Sequence, residues 1–334
     1  MNMNPANFFD VLRDYETRGL ISSRKHPTID LWIWNYTDRT TFNKLWDPVT
    51  MACRSLVTDG DGNVVARAFR KFFNDDESSV KIPSGPRRVF KKYDGSLILV
   101  FWYADRFVVC SRASFASVHV EWATQILQDR LSELTDRSVT YVFELIHPEN
   151  RIVVSYGGVR DLVFLAAFYH DGEEAVGFPC PKNFVAAEEL ITDADIAELK
   201  TKDPPNEEGY VLVWTDGTRV KVKFPSYKVL HRSQAKVTLK DVGLLYAADP
   251  TLEPDASRVA SVPDEFHDEF RKAWRRYAEL DAEIHREYID SYCPDKVEFA
   301  RKNQEHRFKN AMILMHLGRE HRHKLYDLLK RKQA

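Results

Sequence analysis

The 334-residue chain carries 48 basic and 50 acidic residues, and its net charge of −2 excludes a global attraction to nucleic acid or to anionic membranes. Hydrophobic residues make up 44% of the chain, which is enough to bury a sizeable core, and the length suggests two domains. No run of about 18 apolar residues, no signal-peptide pattern and no Cys-x-x-Cys pair occurs, so we expect a globular, cytoplasmic protein without membrane association, disulfides or a zinc site.

The N-terminal part of the chain is predicted to contain one helix and three strands. Apolar residues at helical spacing indicate a helix over residues 6–20, and apolar runs indicate strands at 31–34, 51–58 and 64–73. The Asp-Gly-Asp-Gly-Asn segment at 59–63 resembles a calcium loop, but Val64 and Arg70 stand where such a loop needs glycine and glutamate. We therefore expect a hairpin turn there.

Basic and aromatic side chains are mixed on the third of these predicted strands. They are Arg67, Arg70 and Lys71 together with Phe69, Phe72 and Phe73. Cationic groups neutralise phosphates while an aromatic face stacks on a base, so this mixture suits a nucleotide. An ordinary half-exposed strand would have a similar composition, and the segment alone leaves both interpretations open.

The segment Phe90-Lys91-Lys92-Tyr93-Asp94-Gly95-Ser96 joins a strand-like approach to an Asp-Gly turn. A continuous apolar run at 97–102 follows and predicts a buried strand. A lysine beside this turn is either a nucleophilic amine mounted on rigid structure or a solvated residue near a hairpin. Lys91 lies on the opposite face of the extended segment, which makes Lys92 the stronger candidate.

The middle of the chain is predicted to combine strands with one helix. Residues 107–111 pair with 97–102 in a hairpin, residues 116–135 have helical apolar spacing, and further strands are expected at 139–147, 151–156 and 162–169. Glu144 is surrounded by apolar residues in the first of these three strands. Because an unpaired buried carboxylate is costly, an inward Glu144 needs a salt bridge or a bound ligand.

The segment 206–231 predicts a second hairpin of unusual content. Glu208 and Gly209 lead into an apolar strand, a Thr-Asp-Gly-Thr turn follows, and the returning strand carries Lys221 and Lys223. Since strand side chains alternate, the two lysines face one side, about 7 Å apart, and the apolar residues face the other. The lysines would either grip a polyphosphate during phosphoryl transfer or protect an edge strand from aggregation.

A proline-rich linker is predicted at 249–263, between a domain at 1–248 and a helical domain at 264–334. From residue 301 onward the chain has ten Lys or Arg residues, three acids and four histidines. This basic end would be an RNA platform or an ordinary solvated helix face. No carboxylate accompanies His316, His321 and His323 at ligand spacing, so we predict no metal site from them.

In their order along the chain, these elements resemble the covalent nucleotidyltransferases, and specifically the RNA ligase 1 family of T-even phages. The resemblance covers most of residues 30–231. Five motifs carry it, and the first, Lys92-Tyr93-Asp94-Gly95, resembles the family's Lys-x-Asp-Gly signature. The other four are Ser111-Arg112-Ala113-Ser114, Phe143-Glu144-Leu145, Glu208-Gly209-Tyr210-Val211 and Lys221-Val222-Lys223, with upstream matches at Cys53-Arg54-Ser55 and Lys71-Phe72-Phe73-Asn74. The family has lysine and glycine in place of Arg112 and Ala113, an exchange that keeps the positive charge but not the contact geometry.

The resemblance implies an α+β fold in which a nucleotidyltransferase domain of packed antiparallel sheets with flanking helices precedes a small all-helical domain. It also implies an ATP-dependent RNA ligase that uses Mg²⁺ or Mn²⁺ and joins RNA 5′-phosphate and 3′-OH ends through lysyl-AMP and RNA-adenylate intermediates, as in tRNA repair. A separate end-healing kinase or phosphatase is an expected partner, because the chain has no P-loop.

The same resemblance assigns roles to individual residues. Lys92 is the expected nucleophile, and the expected contacts to the nucleotide and its phosphates come from Tyr93, Arg54, Lys71, Phe73, Glu144, Lys221 and Lys223. The expected metal ligands are Glu208, Glu144 and Asp94, and further site candidates are Gly95, Ser111, Arg112, Gly209 and Tyr227. A DNA ligase or a capping enzyme shares the lysine chemistry but usually continues into a strand-rich OB domain. The alternative from another class is a non-catalytic RNA-end-binding protein.

Overall fold

The computed structural model describes residues 5–77, 80–234, 238–250 and 266–331. Contacts divide the chain into two units, Met1–His231 and Arg232–Ala334. Helix α7 (Leu239–Ala248), which the sequence suggested as part of the first domain, packs on α8 (His267–Ser291) in the second unit, where Tyr246 stacks on Tyr277. Apart from residues 249 and 250, the predicted linker lies outside the described residues.

The first sheet of the N-terminal unit is an antiparallel meander of β1 (Ile21–Lys25), β2 (Leu31–Tyr36), β3 (Arg54–Asp59) and β4 (Val64–Ala66). Helix α1 (Pro5–Thr17) covers one face, where Leu12 joins a buried cluster with Trp34. The hairpin turn predicted at 59–63 is confirmed, and the Asp59 carboxylate accepts backbone N–H groups of Asp61 and Asn63.

Two strand predictions in this region are wrong at their ends. Residues 51 and 52 belong to α3 (Pro48–Ala52), which follows α2 (Asp38–Phe42), because Asp47 caps α3 by accepting the N–H groups of Val49 and Thr50. The predicted strand at 64–73 stops after β4. Beyond it, the Lys71 N–H donates to the Met51 carbonyl at 2.8 Å instead of extending the sheet.

The second sheet has the order β11-β10-β9-β7-β8, with the strands β7 (Ser96–Tyr103), β8 (Arg106–Ser111), β9 (Val139–Ile146), β10 (Asp161–Tyr169) and β11 (Val185–Ala186). All pairs are antiparallel except β10 with β11. One face packs against the first sheet, and the other packs against α4 (Val118–Leu127) through Ala123 and Leu127. This helix ends well before residue 135, the end predicted from the spacing of its apolar residues.

The third sheet has the order β12-β6-β13-β14-β5, with the strands β5 (Phe73–Asn74), β6 (Arg87–Lys92), β12 (Glu189–Leu190), β13 (Gly209–Trp214) and β14 (Arg219–Lys223). Only β14 with β5 is parallel. Its apolar face is covered by α5 (Ile196–Thr201) and α6 (Pro225–Gln234), through Leu199 and Tyr227. The strand predicted at 151–156 does not form, because the Val153 and Val154 amides donate to the Asp94 carboxylate instead of to a neighbouring strand.

The described part of the second unit is helical. After α7 and α8 it contains α9 (Lys296–Lys302), α10 (Lys309–His316) and α11 (Leu325–Arg331). Its buried residues on α8 are spaced by three or four positions and include Phe270, Trp274 and Tyr277. The expected fold class, antiparallel sheets with flanking helices followed by a helical region, is therefore confirmed. None of the described helices has the length and hydropathy that a bilayer crossing requires.

Candidate active site

Three neighbouring strands of the third sheet bring the candidate charged residues into one row. In the antiparallel register, Gly209 on β13 lies opposite Lys92 at the end of β6 and opposite Lys223 at the end of β14. Gly209 has a φ of +145°, and a Cβ there would lie 2.0 Å from the Val222 carbonyl oxygen. Only glycine fits this position. Glu208, one residue earlier, lies between the two lysines.

Glu208 is the buried acceptor of both lysines. Its Oε2 lies 2.7 Å from the Lys92 Nζ and its Oε1 lies 3.0 Å from the Lys223 Nζ, and the glutamate side chain is only 2% exposed. Burial opposes ionisation of this carboxyl group, but the two lysines outweigh that effect and lower the pKa of Glu208 below its ordinary value. The carboxylate is therefore charged and holds the Lys92 amine at a fixed position.

The adjacent lysine is held by a different acid. Lys91 Nζ lies 2.7 Å from Glu207 Oε1, so each of the two adjacent lysines pairs with one of the two adjacent glutamates. Lys91 and Lys92 thus have the same chemistry and similar exposure, 24% and 20% of their side chains, but different partners.

The Asp-Gly corner after Lys92 is fixed on both sides. Asp94 is buried, and its carboxylate accepts the N–H groups of Val153 and Val154 at 2.8 Å and the Tyr227 hydroxyl at 2.9 Å. Gly95 approaches the next strand so closely that a Cβ would lie 2.3 Å from the Leu145 carbonyl oxygen. Both Asp94 oxygens are therefore already engaged by protein donors.

Glu144 lies beside this corner, where its Oε1 accepts the Gly95 N–H at 3.1 Å. Burial raises the pKa of Glu144 to about 7, an effect that nearby Lys92 opposes and the Glu208 carboxylate reinforces. The two glutamates therefore differ near neutral pH: Glu208 is ionised, whereas Glu144 is close to its midpoint.

A group of cations surrounds the two glutamates. Burial, followed by the charges of Lys71 and Arg54, keeps the pKa of Lys221 well below its ordinary value. In the described ranges no carboxylate lies within ion-pair distance of Lys221, whose Nζ is 4.8 Å from the centre of the Phe72 ring. Positive charge without a matching acid is an environment that favours a bound anion.

Four of these charged groups, Arg54, Lys92, Glu144 and Lys221, line a cavity of about 810 Å³ in the N-terminal unit. The predicted site residues on its wall are Arg54, Lys92, Tyr93, Gly95, Ser111, Arg112, Glu144 and Lys221. Tyr93 stacks on Tyr156 with ring centres 6.4 Å apart. The wall also carries the rings of Phe69, Phe72 and Phe90, so both charged and aromatic surfaces face the space. Cationic groups together with aromatic faces fit a nucleotide polyphosphate.

The other predicted site residues are not on this wall, and they are Asp94, Glu208, Gly209, Lys223, Tyr227, Lys71 and Phe73. Lys71 and Phe73 line a neighbouring cavity of about 630 Å³. Lys71 is buried, and its Nζ lies 5.0 to 5.4 Å from the ring centres of Tyr36, Trp46 and Phe73. The positive charge of Lys71 nevertheless helps to lower the pKa of Lys221.

Sequence reasoning missed two contributors to the site. His119 on α4 reaches the cavity wall, and its Nε2 lies 3.0 Å from Asn150 Oδ1. Tyr156 accepts the Asp94 N–H at 2.9 Å and stacks on Tyr93. No local pattern identifies either residue, because both meet the site through long-range folding.

Three packed sheets that place a lysine and a carboxylate on the wall of a cationic cavity, with a second carboxylate ion-paired to that lysine, define an α+β domain with a charged cavity. A family model described as RNA ligase matches residues 52–227, slightly more than half of the chain. The chain belongs to this family, the T4 RNA ligase 1 family.

Similar proteins were found among curated sequences and solved structures. A Thermovibrio ammonificans protein, provisionally named an RNA ligase, is 26% identical over 189 residues, which cover 51% of this chain and 50% of that protein. The chain thus spans about half the length of this curated relative. A Naegleria gruberi RNA ligase variant solved with ATP and Mn is 14% identical, with 44% of this chain and 51% of that chain covered and a TM-score of 0.37. The same ligase solved with PPi is 16% identical, with 44% and 52% covered and a TM-score of 0.35.

Proposed function

We propose that the chain is an ATP-dependent RNA ligase that joins 5′-phosphate and 3′-OH RNA ends, with Lys92 as the residue that becomes adenylated. The observation that supports this most is the position of the Lys92 amine, 2.7 Å from Glu208 on the wall of a cavity that also carries Lys221 and Arg54. A nucleophile, a carboxylate and anion-binding cations are the groups that nucleotidyl transfer requires.

In the first step the Lys92 amine attacks the α-phosphorus of ATP, a P–N bond forms, and the P–O bond to pyrophosphate breaks. The negative charge that develops on the phosphates is stabilised by Lys221 and Lys223. An oxygen of the RNA 5′-phosphate then attacks the phosphorus of the adenylate, the P–N bond breaks, and the Lys92 amine is released. Attack by a 3′-OH on the RNA 5′-phosphorus releases AMP and leaves a phosphodiester. The amine must lose its proton before the first attack, and solvent can take this proton because Lys92 is partly exposed.

Glu208 and Glu144 are the residues that would hold Mg²⁺ or Mn²⁺, because hard divalent cations prefer carboxylate oxygens. Such an ion neutralises phosphate charge when bound. Its binding to Glu208 would weaken the ion pair with Lys92 and so favour the neutral amine. We assign Asp94 a positioning role, although the motif suggested it as a metal ligand, because backbone N–H groups and the Tyr227 hydroxyl hold its oxygens in place. The Glu208 oxygens are paired instead with flexible lysine side chains, which an ion can displace.

The proposal extends to the second unit as an RNA platform. From residue 301 onward the sequence contains ten basic residues and three acids. RNA backbones are bound mainly through contacts of basic residues with phosphates. RNA or tRNA repair is the role suggested by the resemblance, and an end-healing kinase or phosphatase would supply the 5′-phosphate and 3′-OH ends.

The decisive test is incubation with α-labelled ATP and Mg²⁺ or Mn²⁺, followed by denaturing electrophoresis. We expect a labelled protein band in the wild type, no band in Lys92→Ala, and a band of near wild-type intensity in Lys91→Ala. The Lys91 variant is a matched control, because that lysine has similar exposure and its own ion pair with the neighbouring Glu207. Label that persists in Lys92→Ala would refute the assignment of the nucleophile.

The substrate class is tested by offering the wild type single-stranded RNA with 5′-phosphate and 3′-OH ends and, separately, a nicked DNA duplex. Sealing of the RNA is expected. Sealing of the DNA alone would instead make the protein a DNA ligase. Adenylation without sealing of either substrate would leave the chain as an adenylating protein and remove the RNA-joining part of the proposal.

A further inference from the structure

The second unit contains a compact group of metal-ligating side chains that ligase chemistry does not use. Asp281 and His285 lie one turn apart on α8, and His321 precedes the short 3₁₀ turn at Arg322–Lys324. One potential ligand atom from each residue lies within 4.8 Å of the other two. Asp281 and His321 are buried, with side chains 7% and 5% exposed, whereas the His285 side chain is 43% exposed.

The two oxygens of Asp281 have different surroundings. Oδ1 faces the histidines, at 2.7 Å from His321 Nε2 and 3.4 Å from His285 Nδ1, and the same His285 Nδ1 lies 2.8 Å from the Asp281 backbone carbonyl oxygen. Oδ2 accepts the Tyr246 hydroxyl at 3.1 Å and the Arg322 Nε–H at 2.8 Å. The second oxygen is thus occupied by donors that fix the carboxylate plane, and the first is presented to two imidazoles.

The charges around this carboxyl group are partly balanced. Arg322 Nε lies 2.8 Å from its Oδ2. Arg322 in turn pairs with Glu320 at 3.2 Å, which offsets part of the guanidinium charge. A divalent ion at the histidine side would therefore meet one carboxylate directly and a guanidinium whose charge is partly balanced.

We propose that Asp281, His285 and His321 bind a divalent transition-metal ion, with Zn²⁺ as the best match. Two imidazoles and one carboxylate are a common three-residue ligand set for zinc, and a fourth position is left to water. The half-exposed His285 gives the ion a path from solvent. Tyr246 and Arg322 supply the outer hydrogen bonds that orient a ligating carboxylate in metal sites. This site would stabilise the helical unit by tying the segment after α10 to α8.

The other C-terminal histidines do not belong to the group. His316 stacks on Phe299 with ring centres 4.3 Å apart, and His323 is exposed. No local pattern connects His321 with Asp281, since forty residues separate them. A metal-free network of hydrogen bonds between the same three residues is the competing explanation, and the two explanations predict different metal contents.

The test measures the metal that the full-length protein retains. The protein is stripped with a chelator, exposed to a small excess of Zn²⁺, desalted, and analysed by mass spectrometry for zinc per chain. About one retained equivalent is expected for the wild type and for the control His323→Ala. His285→Ala and His321→Ala should bind zinc at least roughly tenfold more weakly and so retain much less of it after desalting. His285→Ala is the safer variant, since a half-exposed side chain is less important for folding than the buried His321.

Two further readouts separate coordination from simple adsorption. Co²⁺ loaded into the wild type should give the intense visible bands of a four-coordinate site, and His285→Ala should lose them. The wild-type Tm should rise on Zn²⁺ addition and that of His285→Ala should not. No retained zinc in the wild type, or equal retention by His285→Ala and His323→Ala, would overturn the proposal and leave a metal-free network. Neither readout depends on ligase activity.

Discussion

Replacing Glu144 by glutamine should make the ligand-free protein more stable above neutral pH. Burial raises the pKa of Glu144 from 4.5 to about 7, so the folded state favours the protonated form. For an acid shifted upward, the associated stability is fully present below about pH 4.5 and is lost as the pH rises through about 7. Glutamine cannot ionise, yet it keeps an oxygen that can accept the Gly95 N–H.

The size of the effect follows from the shift. At 1.36 kcal/mol per pKa unit, a rise from 4.5 to about 7 corresponds to at most about 3 kcal/mol. The difference in unfolding free energy between Glu144→Gln and wild type should therefore grow from near zero at pH 4.5 to at most about 3 kcal/mol at pH 8. Added Mg²⁺ or Mn²⁺ should reduce this difference, because an ion that binds the carboxylate stabilises only the wild type.

Urea unfolding followed by tryptophan fluorescence in metal-free buffer, at several pH values between 5 and 8, measures this difference. The control is Glu149→Gln, an exposed glutamate in the turn after β9, which should run parallel to the wild type. If Glu144→Gln also runs parallel to the wild type across this range, the raised pKa of Glu144 is refuted.

Two other predictions concern neighbouring parts of the site. Gly209→Ala should lower the unfolding free energy by more than about 3 kcal/mol in urea titrations, because the added Cβ meets a backbone carbonyl at 2.0 Å. The control Gly158→Ala has open space around it and should change the unfolding free energy by less than about 0.5 kcal/mol. Lys221→Met should raise the ligand-free stability by roughly 1 kcal/mol, and more at low pH, where a lysine of lowered pKa is protonated at the expense of folding. The same variant should lose the rise in Tm that ATP gives the wild type. Equal effects of the two alanine substitutions, or a destabilised Lys221→Met that still responds to ATP, would contradict these arguments.

Local patterns in the sequence were sufficient to predict many of the strands and turns of the N-terminal unit. The continuous apolar run of β7 and the Thr-Asp-Gly-Thr turn between β13 and β14 predict those elements because alternation, burial and turn chemistry act over a few residues. They also identify Lys92, Glu208 and Lys223 as unusual charges beside glycine or at strand ends.

Where local signals competed with tertiary contacts, the sequence prediction was wrong. The segment at 151–156 has strand-like composition, but Asp94 attracts its amides and no strand forms. Residues 51 and 52 at the end of α3 are predicted as strand, although Asp47 and Pro48 are a recognisable helix start.

Only the tertiary structure determines which partners these charged residues have. The register of β6, β13 and β14 places Gly209 between Lys92 and Lys223, and this register fixes Glu208 as their shared partner. The engagement of both Asp94 oxygens, the raised pKa of Glu144 and the meeting of Asp281 with His321 likewise depend on residues far apart in the chain. Sequence periodicity determines which face a side chain takes, but which distant side chain it meets, and how much water remains between them, is set only by packing.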